Sequence, residues 1–116
     1  VPDPGPEVAA LRQALERNEP LYLTGLVLQE LLQGFSGPKA REQIIERLAA
    51  LPLLVPDRRD HIEAADLRNR CRRAGVQVGT IDALLGQLCI RHGLTLLSAD
   101  EDFGHMARVT SLRLWA

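Results

Sequence analysis

Aromatic residues are scarce in this sequence of 116 residues. Phe, Trp and Tyr together make up 3% of the chain, so the interior has to be built from Leu, Val, Ile and Ala. So few rings argue against a protein that binds single-stranded nucleic acid by stacking bases on aromatic side chains. We therefore expect an aliphatic core.

Cysteine and methionine are also rare. The two cysteines, Cys71 and Cys89, lie outside any CxxC motif, and we interpret them as reduced thiols in the core of a cytosolic protein. The single methionine is Met106. Val1 is therefore not a natural start of translation, and we expect a further segment upstream of it.

Long apolar runs and the common ligand motifs are missing too. No stretch approaches the ~20 residues needed to span a bilayer, and no segment resembles a signal peptide. The histidines lack metal-binding spacing such as HxxxH. The glycines form neither GxGxxG nor a phosphate-binding loop with a lysine. These absences disfavour membrane-spanning, histidine-metal and nucleotide-binding proteins.

What remains is the balance of an ordinary globular domain. Hydrophobic residues make up 46% and charged residues 25% of the chain, and the length fits one domain. The net charge of −1 does not by itself predict a nucleic-acid partner, although a near-neutral total can hide separate acidic and basic surfaces. One short stretch concentrates arginines: Arg58, Arg59, Arg68, Arg70, Arg72 and Arg73.

Apolar spacing and capping residues predict helices that alternate with strands. Strands are predicted over 21–23, 53–55, 94–99 and 112–115. Helices are predicted over 6–18, after a Thr24 cap, over 39–51, over 60–74 with Asp60 as the cap, over 80–92 with Thr80 as the cap, and over 102–108.

This alternation predicts an α/β protein in which helices cover both faces of a parallel sheet. Ligands of such sheets bind just beyond the carboxyl ends of the strands. Asp100 directly follows the run with the strongest strand pattern. The position of Asp100 is therefore one where a functional site is expected.

Three short segments each place a carboxylate beside small residues and a hydrophobic run. Asp82 lies in the first turn of a predicted helix, where the helix N-terminus favours an ionised carboxylate, and the preceding Gly79 allows a ligand to approach the backbone. Glu30 lies among leucines, where a partly buried carboxylate needs a partner such as a metal ion. Asp100 lies at the expected edge of the sheet.

Each of these acids also has a purely structural interpretation. Asp82 could stabilise its helix from the surface, and Glu30 could face solvent. Asp102 could cap the helix that follows it, whereas Asp100 is harder to explain as a cap. Taken one at a time, the residues leave both interpretations open.

In combination, the segments Glu-Leu-Leu-Gln-Gly at 30–34, Gly-Thr-Ile-Asp-Ala-Leu-Leu at 79–85 and Leu-Ser-Ala-Asp-Glu-Asp-Phe at 97–103 resemble the PIN-domain family. The closest resemblance is to the toxins of VapBC-type toxin–antitoxin pairs, and it covers almost the whole chain up to Trp115. The order and spacing of the segments make the combination specific. The resemblance implies a three-layer α/β/α sandwich with a mainly parallel sheet.

The resemblance also implies an endoribonuclease that uses Mg²⁺ or Mn²⁺, consistent with the preference of hard divalent cations for oxygen ligands. Such an ion activates water and stabilises charge on a phosphoryl oxygen. The implied partners are an RNA substrate, a cognate antitoxin and a second copy of the chain, in the cytoplasm. The implied catalytic and metal-binding residues are Glu30, Asp82 and Asp100, with Asp102 as an accessory acid and Thr80 and Ser98 orienting their neighbours by hydrogen bonds.

One segment of the family pattern is missing from this sequence. Family members begin with a strand that ends in an Asp followed by Thr or Ser, and this Asp is usually a metal ligand. Asp3 lies in a Pro/Gly-rich loop, so we do not assign that role to it. Without this central strand, two sheet edges would stay unpaired, which is costly. We therefore expect residues 1–116 to form a single PIN-like domain whose first strand lies upstream.

The arginines and the overall function keep alternative interpretations. The arginine stretch could be a solvated helix face, or a surface that contacts phosphate or an antitoxin. Arg68, Arg72 and Arg73 are the better candidates for contact because their spacing places them on neighbouring helix faces. The alternatives to an enzyme are an inactive PIN-like binding module and a flavodoxin-like regulatory domain. The latter needs a late lysine, and the one lysine, Lys39, lies early.

Overall fold

The structure, a computed structural model, describes residues 13–14, 16–17, 21–33, 37–98 and 100–115, apart from the side chains at 30, 31 and 40. These residues fall into two compact units, one within 12–55 and the other within 56–116. None of the described helices is long and apolar enough to cross a membrane.

Helices and strands alternate in both units. The strands pair in parallel, β1 with β2 and β3 with β4, which confirms the parallel α/β class predicted from the sequence. The described residues thus form two two-stranded sheets. The first unit contains β1 (Leu23–Thr24), α1 (Gly25–Gln33), α2 (Pro38–Leu48) and β2 (Leu53–Leu54). The second contains α3 (Arg58–Arg73), α4 (Thr80–His92), β3 (Thr95–Leu96), α5 (Glu101–Val109) and β4 (Arg113–Leu114).

Side-chain caps fix where α1 and α3 begin. The Thr24 hydroxyl accepts the N–H of Val27 at 3.2 Å, so the predicted Thr24 cap is confirmed. At the start of α3, the carboxylates of Asp57 and Asp60 each accept the other residue's backbone N–H at 2.9 Å, which makes a capping box. The N-cap is Asp57, so the prediction of Asp60 is wrong. Such a box places an acid at each of its two ends, and the sequence alone does not show which of the two acids is the N-cap.

The Asp60 carboxylate also joins α3 to α4. Nη1 of Arg91 donates to both Asp60 oxygens, at 2.7 and 2.6 Å, and Asp60 is fully buried while the Arg91 side chain is 41% exposed. Burial raises the pKa of Asp60, but the Asp57 N–H and the Arg91 guanidinium together outweigh it and hold that pKa below its ordinary value. A second contact joins the same helices, since Nε2 of Gln87 donates to Glu63 at 2.9 Å.

A largely aliphatic core lies among α3, α4, α5 and the segment leading into β4. Both cysteines are free and buried in this core, which confirms their interpretation as core thiols, and burial raises the pKa of each. The buried members of the core are Leu67, Cys71, Val78, Ala83, Cys89, Phe103, Met106 and Leu112.

A glycine allows α4 and α5 to pack closely. A Cβ atom at Gly86 would lie 2.5 Å from Sδ and 3.3 Å from Cε of Met106, and Met106 is fully buried. Gly104 of α5 has more open surroundings, because a Cβ atom there would meet nothing within 4 Å. Close packing against Met106 therefore favours glycine at position 86, whereas nothing nearby favours it at position 104.

The helix that carries Asp82 has the predicted bounds. α4 spans Thr80–His92, and Gly93 ends it in the left-handed conformation with a φ of 64°. The predicted cap is wrong by one residue, because the N-cap is Gly79 rather than Thr80 and no side chain caps the helix.

The strands are shorter than predicted. Those predicted over 94–99 and 112–115 pair over two residues each, because strand-forming residues extend the pattern beyond the part that finds a ladder partner. The helix predicted over 6–18 lies largely outside the described residues, and positions 13, 14 and 16 of it are helical.

The close packing at Gly86 predicts that a methyl group there destabilises the fold. Overpacking costs about 1–3 kcal/mol, and a gain in helix propensity of about 1 kcal/mol partly offsets it. We expect Gly86→Ala to lower the free energy of unfolding by about 1 kcal/mol, measured by chemical denaturation. The matched control is Gly104→Ala, which should raise it by about 0.5–1 kcal/mol. An equal gain at both positions would contradict close packing of α4 on α5.

The buried Asp60 predicts a pH-dependent contribution to stability. Asp60→Asn removes the ion pair with Arg91, so we expect the free energy of unfolding to fall by about 1–3 kcal/mol at neutral pH. Folding lowers the pKa of Asp60 from 3.8, so its contribution is present above that value and is lost as the pH falls through the folded pKa. Denaturation at a series of pH values should show the wild-type advantage shrinking below about pH 4. The exposed Asp66→Asn is the control, and a wild-type advantage that is unchanged at low pH would refute the assignment.

Candidate functional site

Asp82 lies in the first turn of α4. The carbonyl of Gly79 accepts the N–H of Ala83 at 2.9 Å, which starts the helix immediately before Thr80. The Asp82 residue is half-buried. The aligned amide dipoles of the first turn favour an ionised carboxylate at this position.

Asp100 and Asp102 lie at the start of α5. Asp100 is the N-cap, and its Oδ1 accepts the N–H of Asp102 at 2.9 Å. The N–H of Asp100 in turn donates to the hydroxyl of Ser98 at 3.1 Å. The expectation that Asp100 is hard to explain as a cap is therefore wrong, because α5 begins at Glu101, one residue before the predicted start. Asp102, for which a capping role was the alternative interpretation, lies within the first turn instead.

The structure brings the carboxylates of Asp82, Asp100 and Asp102 together. One oxygen from each of these three residues lies within 4.8 Å of the others. Two of the acids belong to the N-terminus of α5 and one to the N-terminus of α4. Each helix directs the positive end of its dipole toward this cluster, which offsets the repulsion among the three carboxylates.

The donor set of the cluster fits a hard divalent cation. Mg²⁺ binds carboxylate oxygens at about 2.1 Å in octahedral geometry, so its ligand oxygens lie roughly 3–4 Å apart. The spacing in the cluster needs only a small adjustment of partly exposed side chains to reach that range. Mg²⁺ usually keeps several waters as well, so three carboxylates together with waters match the number of ligands it takes.

Glu30 stays a prediction. It lies on α1 in the first unit, and its side chain is outside the described part of the chain. The structure therefore brings together two of the three acids predicted as metal ligands, Asp82 and Asp100, and adds to them Asp102, which was expected only as an accessory acid.

The two predicted orienting residues differ in what the structure shows of them. Ser98 contacts the backbone of Asp100 through the hydrogen bond described above, as an orienting role requires. Thr80 is exposed at the first position of α4, and its orienting role stays a prediction.

The three arginines predicted to contact the substrate have different contacts. Nε of Arg68 donates to the carbonyl of Val78 at 2.8 Å. Arg72 donates to the side chain of Asn69, one turn earlier on the same helix. Arg73 is exposed at the end of α3. Arg68 is thus the one of the three with a described contact outside its own helix.

Sequence reasoning missed the contact between α3 and α4 and the cap at the start of α5. The Arg91 contact to Asp60 joins residues 31 positions apart, and no local pattern indicates it. The cap made by Asp100 did have a local signal. An Asp two residues before a second Asp at a helix start is typical of an N-cap whose side chain accepts the N–H of the second position.

Asp100 caps α5, and if it also binds a metal ion, two substitutions at this position should behave differently. An Asn side chain keeps the capping oxygen, so Asp100→Asn should change the free energy of unfolding by less than about 0.5 kcal/mol, whereas Asp100→Ala should lose about 1 kcal/mol. Both should weaken Mn²⁺ binding about tenfold or more, measured by calorimetry. If Asp100→Asn bound Mn²⁺ as tightly as the wild type does, Asp100 would not be a metal ligand and would keep the capping role alone.

Comparison with known proteins places the chain in a family. A family model described as the PIN domain matches residues 3–109. The chain is 35% identical over 89 residues to "VapC ribonuclease Mb1587" of Mycobacterium bovis and to "Ribonuclease VapC11" of Mycobacterium tuberculosis. These alignments cover 75% of this chain and 66% of each relative. The chain therefore spans just under two thirds of the length of these curated relatives.

The family match includes the elements that carry the acidic cluster. Residues 3–109 contain α4 and the whole of α5, and the parallel α/β elements of the structure agree with the fold of that family. The chain belongs to the PIN domain family and has the PIN domain fold.

Proposed function

We propose that the protein is a metal-dependent endoribonuclease, the toxin component of a type II toxin–antitoxin system. The observation that carries this proposal is the convergence of Asp82, Asp100 and Asp102 at two helix N-termini, with oxygens within 4.8 Å of one another. The printed names of the relatives, which describe them as VapC ribonucleases, support the same activity.

The proposed reaction is hydrolysis of an RNA phosphodiester bond with water as the nucleophile. Asp82, Asp100 and Asp102 would hold Mg²⁺ or Mn²⁺. When bound, the ion supplies an activated water and stabilises negative charge on the phosphoryl oxygens. The chain's own part is to fix the acids. The α4 backbone positions Asp82, and Ser98 and the Asp102 N–H hold the backbone and one oxygen of Asp100.

The proposed partners are an RNA substrate, a cognate antitoxin and a second copy of the chain, in the cytoplasm. Arg68, Arg72 and Arg73 of α3 support the first of these, because guanidinium groups bind phosphate. The antitoxin, the homodimer and the location follow from the resemblance to VapC-type toxins. Glu30 is proposed as a further metal-binding acid on the same resemblance.

The proposal predicts that the cluster acids are needed for RNA cleavage. We expect the full-length protein to cleave RNA with Mn²⁺, and Asp82→Asn to lower the rate at least about a hundredfold, because metal catalysis supplies several kcal/mol of stabilisation to the transition state. Glu30→Gln in the same assay tests the role proposed for Glu30. The readout is the rate of cleavage on a denaturing gel at saturating Mn²⁺.

The matched control is Glu101→Gln, which removes a neighbouring charge outside the cluster and should change the rate less than about threefold. Wild-type cleavage by Asp82→Asn would remove Asp82 from catalysis. Failure of the full-length protein to cleave any RNA with Mg²⁺ or Mn²⁺ would favour the alternative, a PIN-like binding module without catalysis.

A further inference from the structure

One arginine of α3 is exposed yet is tethered by a hydrogen bond to the segment that leads into α4. Arg68 lies on the helix that carries most of the arginines of the second unit, and it is the member that contacts the segment leading into α4. Its role rests on the proposed ribonuclease activity and adds to it a group that binds the substrate.

The side-chain contacts between α3 and α4 give the register of the two helices. Asp60 contacts Arg91, and Glu63 contacts Gln87. The later residue of α3 contacts the earlier residue of α4, so the two helices run antiparallel. Arg68 lies five residues after Glu63 along α3. Asp82 lies five residues before Gln87 along α4. Arg68 is therefore level with Asp82.

A hydrogen bond independently places the Arg68 guanidinium at the same end of α4. Its Nε donates to the carbonyl of Val78 at 2.8 Å, and Val78 is a buried core residue that directly precedes the Gly79 N-cap. Asp82 follows within one helical turn. By the dimensions of the chain, the anchored nitrogen lies within roughly 10 Å of the Asp82 backbone.

The remaining chemistry of Arg68 suits a phosphate group. Within the described residues, this guanidinium forms no ion pair, and the Nε bond leaves both terminal nitrogens for a second partner. Two such nitrogens match two phosphate oxygens in a bidentate contact. The bond to Val78 also restrains a side chain that otherwise loses substantial rotamer freedom on binding.

We infer that Arg68 binds a phosphate of the RNA strand and positions that strand beside Asp82. A backbone contact of this kind also agrees with the scarcity of aromatic residues, which leaves little capacity for base stacking. The recognised group is a phosphodiester of single-stranded RNA, and the contact carries no base specificity.

Binding of a fluorescein-labelled single-stranded RNA to the full-length protein tests the inference. The Asp100→Asn background slows cleavage while anisotropy is measured between roughly 50 and 200 mM salt. We expect Arg68→Gln to weaken binding about tenfold and to reduce the slope of log affinity against log salt by about 0.7, the value for one phosphate contact on a single strand. Arg68→Lys should retain the slope, because it keeps the charge.

Arg70→Gln is the matched control. It removes the same charge two residues away, on a different side of the helix, and should retain the slope. Thermal unfolding of each variant checks that Arg68→Gln is folded at the assay temperature, and Arg68→Lys provides the comparison if it is not. Equal slopes for Arg68→Gln and Arg70→Gln, or loss of slope in Arg68→Lys, would overturn the inference. A full-length protein that binds RNA in this manner but cleaves none would refute the proposed activity and leave the role of Arg68 intact.

Discussion

The contact between the buried carboxylate of Asp60 and the guanidinium of Arg91 fixes how α4, the helix that carries Asp82, lies along α3. A carboxylate without solvent needs its charge and its lone pairs satisfied, and here Arg91 and the Asp57 N–H satisfy them. This requirement allows little sliding between the two helices. Because Gly86 then brings α5 against α4, the N-termini of both helices are held at a common location.

The acidic cluster follows from this packing of helix ends. Three carboxylates within 4.8 Å of one another would be unfavourable on an ordinary surface. Each is placed in or next to the first turn of a helix, where backbone N–H groups and the helix dipole favour negative charge. At Asp100, capping a helix and binding a metal ion are compatible. One oxygen caps α5, and a carboxylate retains further lone pairs that a metal ion can use. The fold thus stabilises the acids at least in part through the helix N-termini on which they lie.

The sequence predicted the parts of this arrangement that local physics determines. The bounds of α4 were predictable because Gly79 and Gly93 flank a continuous apolar pattern. The parallel class and the positions of Asp82 and Asp100 followed from the alternation of elements. The Asp57 cap, the Arg91 contact and the proximity of Asp102 to Asp82 were not predictable, because each depends on tertiary packing between residues distant in sequence or on a choice between neighbouring acids. The predicted strands were too long for a related reason, because the partner strand decides over how many residues a strand pairs.

We propose that one cation binds where α4 and α5 begin, held by Asp82, Asp100 and Asp102. Anomalous scattering from crystals of the full-length protein grown with Mn²⁺ tests this most directly, because it locates the ion without reference to activity. We expect a Mn²⁺ peak within about 2.0–2.4 Å of an oxygen from each of these three acids. A well-ordered cluster with no Mn²⁺ peak, or a peak bound only by other residues, would contradict it.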